Sequence, residues 1–395
     1  MIEEIKVRNF LSFKGESVFS FRASRDNFAE QSQVVEMPNG VRLLRMAVVY
    51  GYNASGKSNL LSVIDFLRSF VLDNDIDIDD GTKVVPFLLD KDCPSEPSEF
   101  NIIFWVEQKR YAYHLLIDSV EVKQESLSFY ETNRPTTIFD RTSVDGSTVI
   151  KFNSSLGISK AQRDLLCGNC IRNMSVFASR KKVNGNFGCF DKAREWFKDS
   201  LLSVIKPNTQ MFNYAVRQIE DKDGIKDYLL NFAKEADFNI SDIILKKQER
   251  EIVFSHNVRN ERGFETYRLD DASQSTGTKR ILGLESAIFD IMANPGIVSV
   301  DEIETSLHPL LVEKLLFDFL KIEGVQSQLI ITTHNDGLLD LNDKLLRKDS
   351  FWFTEKLEDG STDLYQLIDF KGLNRISSIR DAYRLGVFGA TLNNR

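Results

Sequence analysis

The sequence predicts an α/β fold, and three stretches predict it. "VVYGYNASGKSNLL", Val48 to Leu61, passes from a short apolar strand through a glycine loop into an amphipathic helix. "GIVSVDE", Gly296 to Glu302, is an apolar strand that ends in two acids. "LIITT", Leu329 to Thr333, is a further apolar strand, and His334 closes it. Buried strands alternating with helical periods read as α/β.

Taken in order, Ile2 to Phe10 alternates as a strand, and Val18 to Phe21 is its candidate partner. Val41 to Tyr50 leads into the glycine loop, with Met46–Tyr50 as a buried strand. The loop fits G-x-x-x-x-G-K-[ST], with Gly51, Gly56, Lys57 and Ser58 in the fixed places. Leu60, Val63, Ile64, Leu67 and Phe70 then recur at helical spacing. Strand, glycine loop and helix form the context this motif requires. Glycines let backbone N–H groups converge on phosphate oxygens, and the helix N-terminus adds partial positive charge. Lys57 is placed to reach β- and γ-phosphates, and Ser58 to ligate Mg²⁺. Asn53 and Ser55 are the loop's further candidate contacts.

Asp73 to Gly81 is an acidic loop without the glycine and glutamate of an EF-hand, and reads as solvated. Phe100 to Tyr130 alternates in short strands, an antiparallel meander with its turn at Glu107–Arg110. From 151 to 237 the character changes. Leu156–Leu166, Phe190–Ile205 and Ile225–Ala236 read as helices of an insertion. Strands return after Ile240, at Ile243–Lys246, Glu251–Phe254 and Thr266–Leu269. The expected organisation is therefore 1–150 with the glycine loop and a β lobe, 151–237 as a helical insertion, and 238–395 completing the first unit.

Composition sets limits. The chain has 395 residues and 29 phenylalanines, enough for a sizeable core. Its net charge of −8 argues against a whole-molecule grip on DNA. A nucleic-acid contact stays open only locally, at Arg180-Lys181-Lys182 between Phe177 and Phe187. The start, Met1-Ile2-Glu3-Glu4, lacks the charge and apolar core of a signal peptide. No apolar run reaches the ~18 residues of a membrane span. Four irregularly placed cysteines fit a reducing cytoplasm, the expected location.

The two later strands supply what a glycine loop lacks. Asp301 at the strand end is expected beside the loop, holding Mg²⁺, with Glu302 orienting and deprotonating the attacking water. Adjacent residues suit two roles because alternate side chains leave a strand in opposite directions. Pro309 then opens a helix with Leu311, Leu315 and Phe319. His334 is placed to contact a γ-phosphate or the attacking water. Upstream, "SQSTGTKR", Ser273 to Arg280, puts Ser275 and Gly277 at a helix N-terminus, a second anion-binding device.

This order resembles the ABC-type ATPases of the SMC/RecF-like branch. "IKVRNFLSF" resembles the opening strand, "QSTGTKR" stands in place of the signature, "SVDEIETSLHP" resembles the extended Walker B and D-loop, and "IITTHN" the H-loop. "PFLLD" at Pro86–Asp90 and "AYRLGVFGATL" from Ala382 resemble the AAA-type, ABC-like ATPases of phage-defence and abortive-infection operons. Relatives there include the ATPase subunit of the PARIS system and ATPases encoded beside RloB-type proteins. The resemblance implies an ABC-type head with an antiparallel β lobe, ATP and Mg²⁺ as ligands, and two heads that sandwich ATP. Ser275 and Gly277 would then act in trans on a partner's nucleotide. Thr276 and Thr278 depart from the signature's glycine and glutamine, and no Q-loop glutamine is placed, Gln108 lying in a charged turn. The implied output is control of an effector encoded nearby, a nuclease or an RloB/TOPRIM-like protein. A DNA-binding RecF-like repair ATPase is the alternative.

Weaker signals are few. Cys167-Gly168-Asn169-Cys170 supplies two of the four ligands zinc takes and lacks flanking heptads. Arg250 and His256 have a HEPN-like spacing in a stretch that alternates as a strand. The 61 residues after His334 leave no room for a TOPRIM domain.

Overall fold

The computed structural model describes residues 1–391 apart from 74, 133, 145–146, 237, 247–250 and 262. The chain opens on β1 (Ile2–Arg8) and folds back antiparallel in β2 (Ser17–Ser20), with Ile5 opposite Phe19 and both side chains buried. A single turn, α1 (Glu30–Gln33), precedes a ladder of β3 (Val34–Glu36) with β4 (Arg42–Leu44). Then comes β5 (Met46–Gly51), buried at every position. The strand expected at Met46–Tyr50 is β5, and Arg45 turns inward between it and β4. Its guanidinium donates to Phe319 O at 3.1 Å and Ile322 O at 2.6 Å, carbonyls where a later helix ends.

From β5 the chain enters α2 (Lys57–Leu72), whose Leu60, Val63, Ile64, Leu67 and Phe70 are buried as their spacing predicts. The meander follows as β6 (Ser98–Val106), β7 (Lys109–Ile117), β8 (Val122–Tyr130), β9 (Pro135–Val144) and β10 (Ser147–Phe152). It runs two strands beyond the expected end. With β1 and β2 it forms a seven-stranded antiparallel sheet in the order β10-β9-β8-β7-β6-β1-β2.

Between 151 and 237 lie α3 (Lys160–Asn169), α4 (Val176–Ser179), α5 (Cys189–Glu195), α6 (Met211–Asp221) and α7 (Ile225–Glu235). These helices share cores with the rest of the chain. Leu166, Phe177, Phe190 and Phe197 pack with α2 and the seven-stranded sheet, whereas Met211 and Phe232 pack against the second sheet. The helix expected from Phe190 to Ile205 stops at Ser200, after one π turn. Leu201 to Ile205 is extended and runs parallel to Ile297–Val300. Leu202 N donates to Ile297 O, Ile205 N to Ser299 O, and Asp301 N to Ile205 O. An open strand edge offers unpaired backbone groups, and this segment satisfies them.

The chain continues in a three-stranded antiparallel sheet of β11 (Ile240–Lys246), β12 (Glu251–Asn260) and β13 (Gly263–Asp270). His256 sits in β12 opposite Tyr267, so no helix carries it, and Arg250 lies outside the described residues. Next come α8 (Thr276–Ala293), β14 (Ile297–Val300), α9 (Pro309–Leu320) and β15 (Gln328–Thr333). The chain finishes in β16 (Phe351–Lys356), β17 (Thr362–Gln366) and α10 (Ile379–Arg384). The second sheet has the order β14-β15-β5-β16-β17, parallel except for β17. The expected α/β class, with an antiparallel lobe, is the one the chain adopts. Parallel pairing brings the C-terminal ends of β14, β15 and β5 to one edge, where ligands of such sheets sit. Because β15 lies between β14 and β5, the strand next to the glycine loop carries His334, and the strand of Asp301 is one further away.

Candidate functional site

The glycine loop closes on a tight backbone path. A Cβ on Gly51 would come within 2.4 Å of Ser55 Oγ and Thr354 Oγ1. Gly56 has φ +111°, where side chains are strained, and a Cβ there would meet Thr362 Oγ1 at 2.2 Å. Ser55 Oγ lies 2.6 Å from Thr354 Oγ1, so that side chain fastens the loop to β16. Asn53, Gly56, Lys57 and Ser58 line a cavity of about 560 Å³ together with Glu302 and His334. No side chain caps α2, so its first N–H groups are uncommitted to a cap at the cavity wall. This is the cradle a phosphate needs.

Lys57 is folded onto its own loop. Its ammonium donates to Gly51 O at 2.7 Å and Tyr52 O at 3.2 Å. Burial lowers its pKa to about 8, against the pull of Asp301, Glu302 and Glu304. Lys57 Nζ lies 3.5 Å from His334 Nδ1, and His334 Nε2 lies 3.8 Å from Glu302 Oε1. The three candidate residues therefore form one chain across the cavity.

Residues that the motifs do not name hold this chain in place. Thr332 Oγ1 donates to Asp301 Oδ1 at 2.6 Å and accepts from Glu302 N at 2.8 Å. Glu302 itself has φ 46°, a left-handed backbone that turns it out of the line of β14. Glu304 accepts from Thr333 Oγ1 at 2.9 Å and from His334 N at 2.6 Å, fixing the end of β15. Asp301 is buried beneath Thr332 and does not line the cavity. The threonines read in sequence as ordinary strand formers. Only the spacing of Glu304, two residues after Glu302, could have drawn attention to it.

The other end of the cavity is apolar, lined by Leu11, Val85, Leu88 and Leu89. Asn9 pins this loop by accepting from Phe87 N at 3.0 Å and donating to Cys93 O at 2.8 Å. Lys14 bridges Asp90 and Asp359 at 3.0 and 3.3 Å.

Ser275 and Gly277 lie outside this cavity. Ser275 Oγ caps α8 by accepting from Thr278 N at 3.0 Å. Gly277 packs on the loop after β14, where a Cβ would lie 2.6 Å from Ser306 O. Arg180 is committed to Asp191 at 2.7 Å and to the Phe187 ring.

A family model described as "AAA domain, putative AbiEii toxin, Type IV TA system" matches residues 46–168 and 180–340, well over half of the chain. No curated protein matches. Among solved structures, the "SMC head domain from Thermotoga maritima" is 14% identical, with TM-score 0.45 over 92% of this chain and 98% of that one. The "SmcHead bound to the C-winged helix domain of ScpA" is 13% identical, with TM-score 0.43 over 97% and 99%. Among the described residues no helix is long and apolar enough to cross a membrane.

Proposed function

The chain belongs to the family described as AAA domain, putative AbiEii toxin, Type IV TA system, and on that premise we propose that it binds and hydrolyses ATP. The observation that carries this reading is the chain Lys57–His334–Glu302, at 3.5 and 3.8 Å, within one cavity beside an uncapped helix N-terminus. The first-turn N–H groups of α2 and Lys57 take the phosphate oxygens, Lys57 exchanging its loop carbonyls for them. Mg²⁺, when bound, neutralises phosphate charge. Ser58, on the cavity wall, would hold it directly, and Asp301, buried and bonded to Thr332, would do so through water. Glu302 orients the attacking water and accepts its proton, and His334 holds the γ-phosphate side. The protein's part in such a transfer is positioning and charge stabilisation.

Two copies of the chain then pair head to head, with Ser275 and Gly277 closing on the nucleotide of the other copy. ATP closes the pair, and hydrolysis opens it. The output is control of an effector encoded nearby in anti-phage defence. The family's description as a toxin–antitoxin domain supports that setting. Steady-state phosphate release and nucleotide binding test the core of this reading. Lys57→Ala should lose nucleotide affinity. Glu302→Gln should keep affinity and lose about 10²–10⁴-fold in turnover. Turnover at the wild-type rate in Glu302→Gln would remove Glu302 from its role.

A further inference from the structure

β13 is the edge strand of its sheet. Among the described residues its only strand neighbour is β12, and all eight of its positions are exposed, Phe264 by 75% and Tyr267 by 49%. β11 pairs with β12 only as far as His256. The hairpin runs on past it as two strands, from Asn257 opposite Thr266 to Asn260 opposite Gly263. That ladder is regular along its whole length, without a bulge. The edge of β14 is treated differently in the same molecule, since Leu201–Ile205 closes it.

An edge strand presents a row of unpaired N–H and C=O groups, and proteins blunt such rows with proline, lysine or a bulge. Gly263–Asp270 has none of the three. What pairs with this row must itself be a strand, and the charges of β13 select a second β13. When two copies of one edge pair antiparallel, a two-fold axis sets one residue opposite its own copy. Centred on Glu265, the pair would set carboxylate against carboxylate, and centred on Arg268, guanidinium against guanidinium. Like charges directly opposite repel. Centred on Tyr267, Phe264 would face Asp270, and Glu265 would face Leu269. Centred on Thr266, threonine faces threonine, Phe264 faces the arginine of the other copy, and Glu265 faces Tyr267. Tyrosine and glutamate are already compatible neighbours here, since Tyr267 donates to Glu265 within one strand at 2.6 Å. Threonine pairs and a cation over an aromatic ring both favour cross-strand contact.

We propose that β13 pairs antiparallel with the β13 of a second copy, in the register centred on Thr266, and so joins two three-stranded sheets into one of six strands. A single strand edge falls short of the roughly 1,200–2,000 Å² that a stable interface buries. The pairing is therefore weak by itself and shows at high protein concentration. It uses no nucleotide and neither Ser275 nor Gly277, so it stands or falls independently of the head pairing proposed above.

The test uses the full chain without nucleotide. Thr266→Cys and Tyr267→Cys are oxidised mildly beside the parent chain, whose four native cysteines set the background. In the proposed register the two Thr266 Cα atoms stand about 4.5–5.5 Å apart, within disulfide reach, and the two Tyr267 Cα atoms beyond about 7 Å. The expected result is a disulfide-linked dimer from Thr266→Cys and none from Tyr267→Cys. Sedimentation velocity over a range of concentrations reads the same contact without oxidant. Thr266→Lys sets like charges on the axis and should weaken dimerisation about fivefold. Val120→Lys, at an exposed apolar position in another part of the chain, should leave it unchanged. A chain that stays monomeric at every concentration overturns the pairing and leaves the edge to a strand of another protein. A link at position 267 in place of 266 overturns it as well, and so does an equal effect of the two lysines, which would mark unspecific association.

Discussion

The hydroxyl of Thr332 donates to the carboxylate of Asp301 at 2.6 Å, and through the same oxygen it holds the N–H of Glu302 at 2.8 Å. One atom on β15 thus sets both acids at the end of β14. Thr332→Val keeps the volume and removes both bonds. Turnover should fall about 10–100-fold, with nucleotide affinity and circular dichroism near wild type. An unchanged turnover number would show that the acids find their places without it.

Glu304 acts on the other side of the same strand end. A glutamine there turns one of its two acceptor oxygens into a donor, facing either His334 N–H or the Thr333 hydroxyl. Glu304→Gln should cost about 1–2 kcal/mol of stability by denaturant titration and lower turnover by displacing His334. Equal stability with equal turnover would mean that His334 is held by its strand alone.

At Gly56 backbone and space both exclude a side chain. Gly56→Ala should lose about 2–3 kcal/mol of stability and most nucleotide affinity, read by melting and by a fluorescent ATP analogue. Wild-type affinity in this variant would argue that the loop rearranges freely.

Glu285, inside α8, gives a pH dependence. Burial pushes its carboxyl up to about 8, while Tyr228 donates to it at 2.6 Å, and Asp318, Lys314 and Lys321 are the charges that act on it. The folded state therefore keeps a proton that the unfolded chain releases above the ordinary value of 4.5. This contribution is fully present below that value and is lost as pH rises to about 8. Glu285→Gln removes the ionisation and keeps an acceptor for Tyr228. It should melt with wild type near about pH 5 and above it near about pH 8.5, by about 1–3 kcal/mol. A gap that fails to widen with pH would contradict the buried protonated form.

The strand ends were legible because each carries a residue type that chemistry restricts: a glycine loop with Lys57, the pair Asp301–Glu302, and His334. The meander was legible because its period of two is strict as far as Tyr130. Lateral order was not. Periodicity describes one strand at a time, and nothing in "IITTHN" says that β15 will lie between β14 and β5. The stretch Leu201–Ile205 misled for a related reason. Its apolar residues continue a helical spacing from Phe190, but the bare edge of β14 offers backbone partners that a helix could not use. Thr332 was invisible because a threonine in a strand needs no reason beyond its propensity.

That same edge limits how the chain can be shortened. Asp301 N donates to Ile205 O, so the last rung of this ladder sits on the acid itself. A chain spliced from residue 150 to residue 238 would not yield a smaller, tidier head. It would strip β14 of its neighbour, uncover a row of unpaired amides beside Asp301, and leave a template on which other molecules of the same chain could stack. Solubility and the shape of the active edge would be lost together.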